Sequence, residues 1–144
     1  MIELENSRVK LLETGTIEPK QNDLIQNRIQ KVYNLLGEIL DEFKPQVLVL
    51  EKLYAHSNHP LTASKMGHVR GCICLLCAQK GIELVEHSVK RIRKALTGNG
   101  NATKQQVQST VGYKLGIDAD KLTLDASDAL ALALGYMQIQ NRKV

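Results

Sequence analysis

The strongest constraint on the fold is a sharp change of pattern around Pro45. Before it, Ile25, Ile29, Val32, Leu36, Ile39 and Phe43 recur at steps of four, three, four, three and four. That spacing predicts a long helix with one apolar stripe. Asp23, three residues before Gln26, resembles a capping box at its start. Proline cannot continue a helix. Directly after it, Val47-Leu48-Val49-Leu50 is an unbroken aliphatic run. Four large aliphatics in succession, with no polar alternation, predict a strand covered on both faces. A helix that must bury a stripe, followed by such a strand, requires an α/β arrangement.

The remaining elements agree. Over Met1–Glu18, Ile2 and Leu4 alternate with Glu3 and Glu5, Asn6-Ser7 marks a turn, and Val9 and Leu11 resume the alternation, predicting two short strands. Leu61–Lys80 carries the stripe Met66, Val69, Ile73 and Leu76 and stops at Gly81. Ile82–Val85 reads as a further strand. Ser88 can cap a helix that closes at Gly98, and Asn101 one that runs to about Lys114 before Gly116. The last helix, about Leu124–Gln140, is rich in Ala and Leu. Strands followed by alternating helix and strand predict a single α/β domain over residues 1–144, with a mixed sheet flanked by helices. With one Phe, four Tyr and no Trp, its core must be aliphatic.

Charge is segregated. The chain has 19 Lys+Arg against 15 Asp+Glu, a net charge of +4. From His87 to Ile117 there is no acidic residue, while Lys90, Arg91, Arg93, Lys94, Lys104 and Lys114 all fall there, so the other 13 basic and 15 acidic residues leave the remainder slightly negative. A solvated helix face can look like this. A basic block beside carboxylates also suits a surface that grips phosphates. No apolar run reaches the length of a membrane span and no signal-peptide pattern opens the chain, so a cytoplasmic protein is expected.

Three carboxylates are candidates for chemistry. Glu51 ends the aliphatic strand, at the carboxyl end where open α/β sheets place their sites. Asp125 and Asp128 stand three residues apart on the last helix, which separates them by about 60° around its axis. Two like charges on one face repel unless a cation or protons intervene, and a Mg²⁺ pair would relieve that repulsion. The helix dipole by itself accounts for an aspartate in the first turn, as for Asp125, more readily than for Asp128. Cys72, Cys74 and Cys77 form C-x-C-x-x-C in an apolar helix, where 72 and 74 point about 160° apart. Reduced, buried thiols fit that geometry and metal ligation does not. His56, His59 and His68 have no ligand spacing.

Four segments together resemble the RuvC-type Holliday-junction resolvases: VLVLEKLY at Val47–Tyr54, GHVRG at Gly67–Gly71, LTGNGNATKQQVQ at Leu96–Gln108 and DASDALAL at Asp125–Leu132. The resemblance implies an RNase H-like fold and a homodimeric, Mg²⁺-dependent endonuclease. Such an enzyme nicks four-way junctions symmetrically in homologous recombination and DNA repair, alongside a branch-migration complex of the RuvA and RuvB type. It implies Glu51, Asp125 and Asp128 as catalytic ligands of two Mg²⁺ ions, with Mn²⁺ able to substitute; the family accepts Asp or His at the position of Asp125. It places Tyr54 where an aromatic stacks on a base, and the His56–Pro60 loop beside it as a DNA-proximal wedge. Arg93 and Lys104 take the basic positions near the phosphate, extended by Lys90, Arg91 and Lys94. The Met66–Leu76 helix would build the dimer interface.

One departure accompanies these matches. The family opens with a strand ending in a Gly-Ile-Asp-Pro-Gly type motif, whose aspartate is its first metal ligand, whereas Met1-Ile2-Glu3 matches the end of the second strand. The resemblance therefore implies an N-terminally incomplete domain, explained by a mis-assigned start codon or by a truncated copy. The alternative expectation is a protein that binds junctions without cleaving them.

Overall fold

The computed structural model describes residues 1–6, 8–53 and 60–141, with only the backbone of 60–62. Tyr54, His56 and His59 lie outside the described residues. In chain order the elements are β1 (Ile2–Glu5), β2 (Arg8–Leu11), α1 (Ile25–Phe43), β3 (Val47–Glu51), α2 (Pro60–Lys80), β4 (Glu83–His87), α3 (Val89–Thr97), α4 (Lys104–Leu115), a 3₁₀ turn at Ala119–Lys121 and α5 (Leu124–Asn141). Both kinds of strand pairing occur. β1 and β2 are antiparallel, with Ile2 opposite Leu11 and Glu5 opposite Arg8. β3 and β4 form the second pair. Its terminal bonds, Glu83 N–H to Gln46 O at 3.0 Å and Lys52 N–H to His87 O at 2.9 Å, advance in the same sense on both strands, so this pair is parallel. Its connection is the helical crossover that parallel strands need.

The chain divides into two compact units, Met1–Thr16 with Val49–Lys52 and Glu86–Val144, and Ile17–Leu48 with Leu53–Val85. In the first, Ile92 and Leu96 of α3, Val107 and Val111 of α4, and Leu130, Ala131 and Leu134 of α5 form the buried core. Ile2, Val9 and Leu11 of the hairpin pack on its rim. The core is aliphatic, as the shortage of aromatics requires. In the second unit, Leu40, Leu76, Cys77 and Ile82 form a smaller core between α1 and α2. Gly37 of α1 is buried, and a Cβ on it would stand 3.6 Å from Leu76 Cδ2, ordinary contact distance.

Helix ends follow local chemistry, not always at the expected residue. Gly98 and Gly116 close α3 and α4 at φ of 78° and 65°, and Ser88 caps α3 by accepting from the Arg91 N–H. The expected capping box at Asp23 does not form. Its carboxylate accepts instead from the adjacent Leu24 N–H and the Asn27 amide, both at 2.9 Å, and no side chain caps α1. Those two bonds hold the Asp23 carboxyl below its ordinary pKa. Asn101 likewise is not the cap of α4. Thr103 is, in a complete capping box with Gln106, which also turns Asn101 into a loop residue beside Asn99. Replacing Thr103 with Ala removes one half of that box and is expected to cost about 1 kcal/mol of stability in urea unfolding.

Three burial expectations are corrected. Val47–Leu50 are only half-buried, because β4 is the one strand paired with β3 among the described residues. Met66 is 46% exposed and leaves the α2 stripe, of which Leu76 at the other end is fully buried, beside buried Cys77. The three cysteines are free, and the expectation of buried thiols holds only for Cys77: Cys72 is half-buried and Cys74 exposed. Burial pushes the Cys77 thiol above its ordinary pKa, with a smaller push from Cys74, and keeps it protonated at neutral pH. No helix among the described residues is long and apolar enough to cross a membrane.

Candidate functional site

Four charged side chains from four elements of the first unit line one cavity of about 250 Å³: Glu51 at the end of β3, Arg93 on α3, Lys104 at the start of α4 and Asp128 on α5. Val89, Ile92, Val107, Ala131 and Leu132 complete the wall. Each charged group has a local reason for its position. Glu51 is the last strand residue, and the following Lys52 N–H is bonded to His87 O, so the strand is held in register to its end. On α3 the buried face is Ile92, Ala95 and Leu96, which leaves Arg93 at the edge of the core and Lys90, Arg91 and Lys94 outside that buried face. Lys104 is the first residue of α4, directly after the Thr103 cap.

The start of α5 is tied down by two devices. Thr123 accepts from the Ala126 N–H through its hydroxyl at 3.2 Å, taking the role of a cap. The Gln108 amide of α4 donates to Ala119 O at 3.1 Å and Leu122 O at 2.9 Å, binding the 3₁₀ turn that leads into α5. Buried Ser127 and Ala131 then face inward and leave Asp128 half-exposed at the cavity. Gln108 is a positioning residue that the sequence does not single out. Its place inside the LTGNGNATKQQVQ segment is the one signal that points to it.

The expected site residues are therefore distributed unevenly. Glu51, Asp128, Arg93 and Lys104 come together. Asp125 sits in the first turn of α5, exposed, and is not among the residues lining the cavity. Three residues of helix advance about 4.5 Å along the axis, so equal spacing around one face does not make the two aspartates equal in depth. Lys90, Arg91 and Lys94 form a separate patch on α3, and Tyr54 is outside the described residues. Lys90 is held against the loop before α4: a Cβ on Gly100 would stand 3.0 Å from Lys90 Cγ and 3.2 Å from its carbonyl oxygen, so glycine permits that approach.

A contact not foreseen from sequence joins two of the four. Lys104 Nζ lies 3.3 Å from Asp128 Oδ2, an ion pair with both side chains about half-exposed. Arg93 supplies a second cation to the same cavity. Glu51 and Asp128 are hard anionic oxygen donors, the type that binds Mg²⁺ through one or two carboxylates while it keeps several waters. They fit such an ion by donor chemistry. Among the described residues, no three of His, Cys, Asp and Glu are arranged to hold a metal between them.

A family model described as Crossover junction endodeoxyribonuclease RuvC matches residues 1–136. A protein of that name from Rhodopirellula baltica is 34% identical over 144 residues, covering 100% of this chain and 81% of its own. One from Prosthecochloris aestuarii is 39% identical over 127 residues, covering 88% of this chain and 67% of its own. Among solved structures, Thermus thermophilus RuvC in complex with Holliday junction substrate matches with a TM-score of 0.90 at 21% identity, covering 99% of this chain and 86% of that one. Thermus thermophilus RuvC itself matches with a TM-score of 0.87, covering 99% and 87%. The chain shares the fold of those structures, the α/β, RNase H-like fold that the motifs implied.

Proposed function

Because the chain belongs to the RuvC family of crossover junction endodeoxyribonucleases, we propose that it resolves four-way DNA junctions. It would nick them in pairs, with a divalent metal, during homologous recombination and DNA repair. The observation that carries this reading is the cavity where Glu51 and Asp128 meet Arg93 and Lys104. A phosphodiesterase needs both signs of charge at one point: oxygen donors for a cation, and cations for the phosphate.

In this reading residues 1–144 act as a single nuclease domain. Glu51 and Asp128 hold Mg²⁺, or Mn²⁺ in its place, and Asp125 adds a carboxylate at the rim of a site that takes two ions. Bound there, the metal supplies a water of lowered pKa and a Lewis acid for the displaced oxygen. Arg93 orients the phosphate, and the walls of Val89, Val107 and Leu132 limit the water that reaches it. Lys90, Arg91 and Lys94 grip the backbone away from the cut, and Tyr54 stacks on a base near the junction centre. A two-fold homodimer puts two such sites on opposed strands. A branch-migration complex of the RuvA and RuvB type would deliver the junction.

A second reading, junction binding without cleavage, is favoured by one observation: only two of the three proposed ligand carboxylates line the cavity. One experiment separates the two. A synthetic four-way junction incubated with the protein and Mg²⁺ should yield paired nicks, while a linear duplex of the same sequence should not. Binding with no nicks in Mg²⁺ or Mn²⁺ would establish the second reading.

Both readings predict strong salt dependence. Changing Lys90, Arg91 and Lys94 together to Gln should weaken junction binding about equally on all sequences. It should also lower the slope of log K against log salt by about three, roughly one for each phosphate no longer neutralised. A gel-shift titration at several salt concentrations measures it; an unchanged slope would remove these residues from the interface.

A further inference from the structure

The Lys104–Asp128 pair gives one carboxylate two partners. Oδ2 of Asp128 lies 3.3 Å from the Lys104 ammonium, in the same cavity where Asp128 is proposed to hold a metal. Both side chains start from fixed main-chain positions. Lys104 starts from a main chain fixed by the Thr103–Gln106 capping box, and Asp128 from a helix packed on α4 through Val107, Leu130 and Ala131. An ammonium this close lowers the negative potential that the carboxylate offers to any other cation, and it repels a dication directly. Arg93, on the same wall, adds to that repulsion.

We infer that Lys104 is a stand-in cation for Asp128, which a divalent metal must displace, so that metal and DNA phosphate load the site together. The inference rests on the proposal that Glu51 and Asp128 hold the metal. Its logic is linkage. A DNA phosphate attracts the Lys104 ammonium off Asp128 and thereby frees an oxygen donor. DNA then raises metal affinity, and metal must raise DNA affinity by the same factor. Without DNA, the metal competes with a lysine already in place. The site is thereby kept weak for free cations and becomes stronger when a backbone is present. Lys104 is in this sense a positioning residue whose two alternative partners are Asp128 and the phosphate.

The test titrates Mn²⁺ alone into the full chain at low salt, with free Mn²⁺ read by electron paramagnetic resonance, so no cleavage is involved. Lys104→Met should bind Mn²⁺ about two- to fivefold more tightly than the wild type, the range set by an ion pair of this exposure. Lys104→Arg, which keeps the charge, should bind as weakly as the wild type. The inference is overturned if Lys104→Met binds no more tightly while Glu51→Gln loses Mn²⁺, or if Lys104→Arg tightens binding as much as Met does. If Glu51→Gln binds Mn²⁺ like the wild type, the metal is not held at this cavity. In that case the functional reading underneath fails as well.

Discussion

Changing Glu51 to Gln is expected to reduce junction nicking in Mg²⁺ by at least about a thousandfold, which corresponds to about 4 kcal/mol of transition-state stabilisation. Junction binding measured without divalent metal should stay within about threefold of the wild type, because the lost charge is anionic and contributes nothing attractive to a phosphate surface. The separation of effects follows from where Glu51 stands. It is exposed at the end of β3, its backbone register is held by the next residue's bond to His87, and it shares the cavity with Asp128. Gln has nearly the same shape, so stability should change by less than about 0.5 kcal/mol. What it lacks is the anionic oxygen that a hard dication requires. Single-turnover rates of paired nicking, set beside gel shifts on the same preparation, measure both quantities. A variant that nicks within tenfold of the wild type would show that Glu51 holds no essential metal.

Features set by neighbouring residues are legible in the amino-acid sequence, and features set by distant ones are not. The C-caps at Gly98 and Gly116 are readable because a helix stop with positive φ is a local demand that glycine meets. Glu51 is readable because an aliphatic run ending in a carboxylate needs no partner to be noticed. Asp23 and Asn101 mislead for an opposite reason: each is a good cap by type, yet Asp23 accepts from Leu24 and Asn27 and Thr103 forms the box instead of Asn101. Val47–Leu50 read as doubly covered, but burial depends on which strands flank β3, and only β4 does so among the described residues. The basic block reads as one surface. The buried face of α3 divides it, turning Arg93 to the cavity and leaving Lys90, Arg91 and Lys94 away from it. Lys104 and Asp128 are 24 positions apart on different helices, and no periodicity announces that they touch. The motif resemblance names both residues and gives them separate tasks, and only the packing of α4 on α5 brings the ammonium to the carboxylate.

The close packing of α5 on α3 sets the second large effect. Gly135 of α5 is buried, and a Cβ there would stand 2.9 Å from both Cδ1 and Cγ2 of Ile92 and 3.4 Å from its Cα. Ile92 is 3% exposed and belongs to the core, so pushing its branched side chain aside disturbs close packing. Gly135→Ala should therefore destabilise by about 1–3 kcal/mol despite alanine's better helix propensity, because overpacking outweighs the roughly 1 kcal/mol that propensity returns. Ile92→Ala alone should cost about 2–5 kcal/mol by opening a cavity. Combined, the new methyl enters the space that the isoleucine vacates, and the double variant should be more stable than the sum of the two by about 1–2 kcal/mol. Urea unfolding of the four proteins closes the cycle, and strict additivity would mean that the two residues do not meet. The same seam has a functional consequence. Arg93 follows Ile92, and Asp128 lies on α5 two turns before Gly135, so a wedge at Gly135 moves the cation of one wall against the carboxylate of the other. Gly135→Ala should thus lower nicking more than its stability loss accounts for, and Ile92→Ala in the same chain should restore part of that rate.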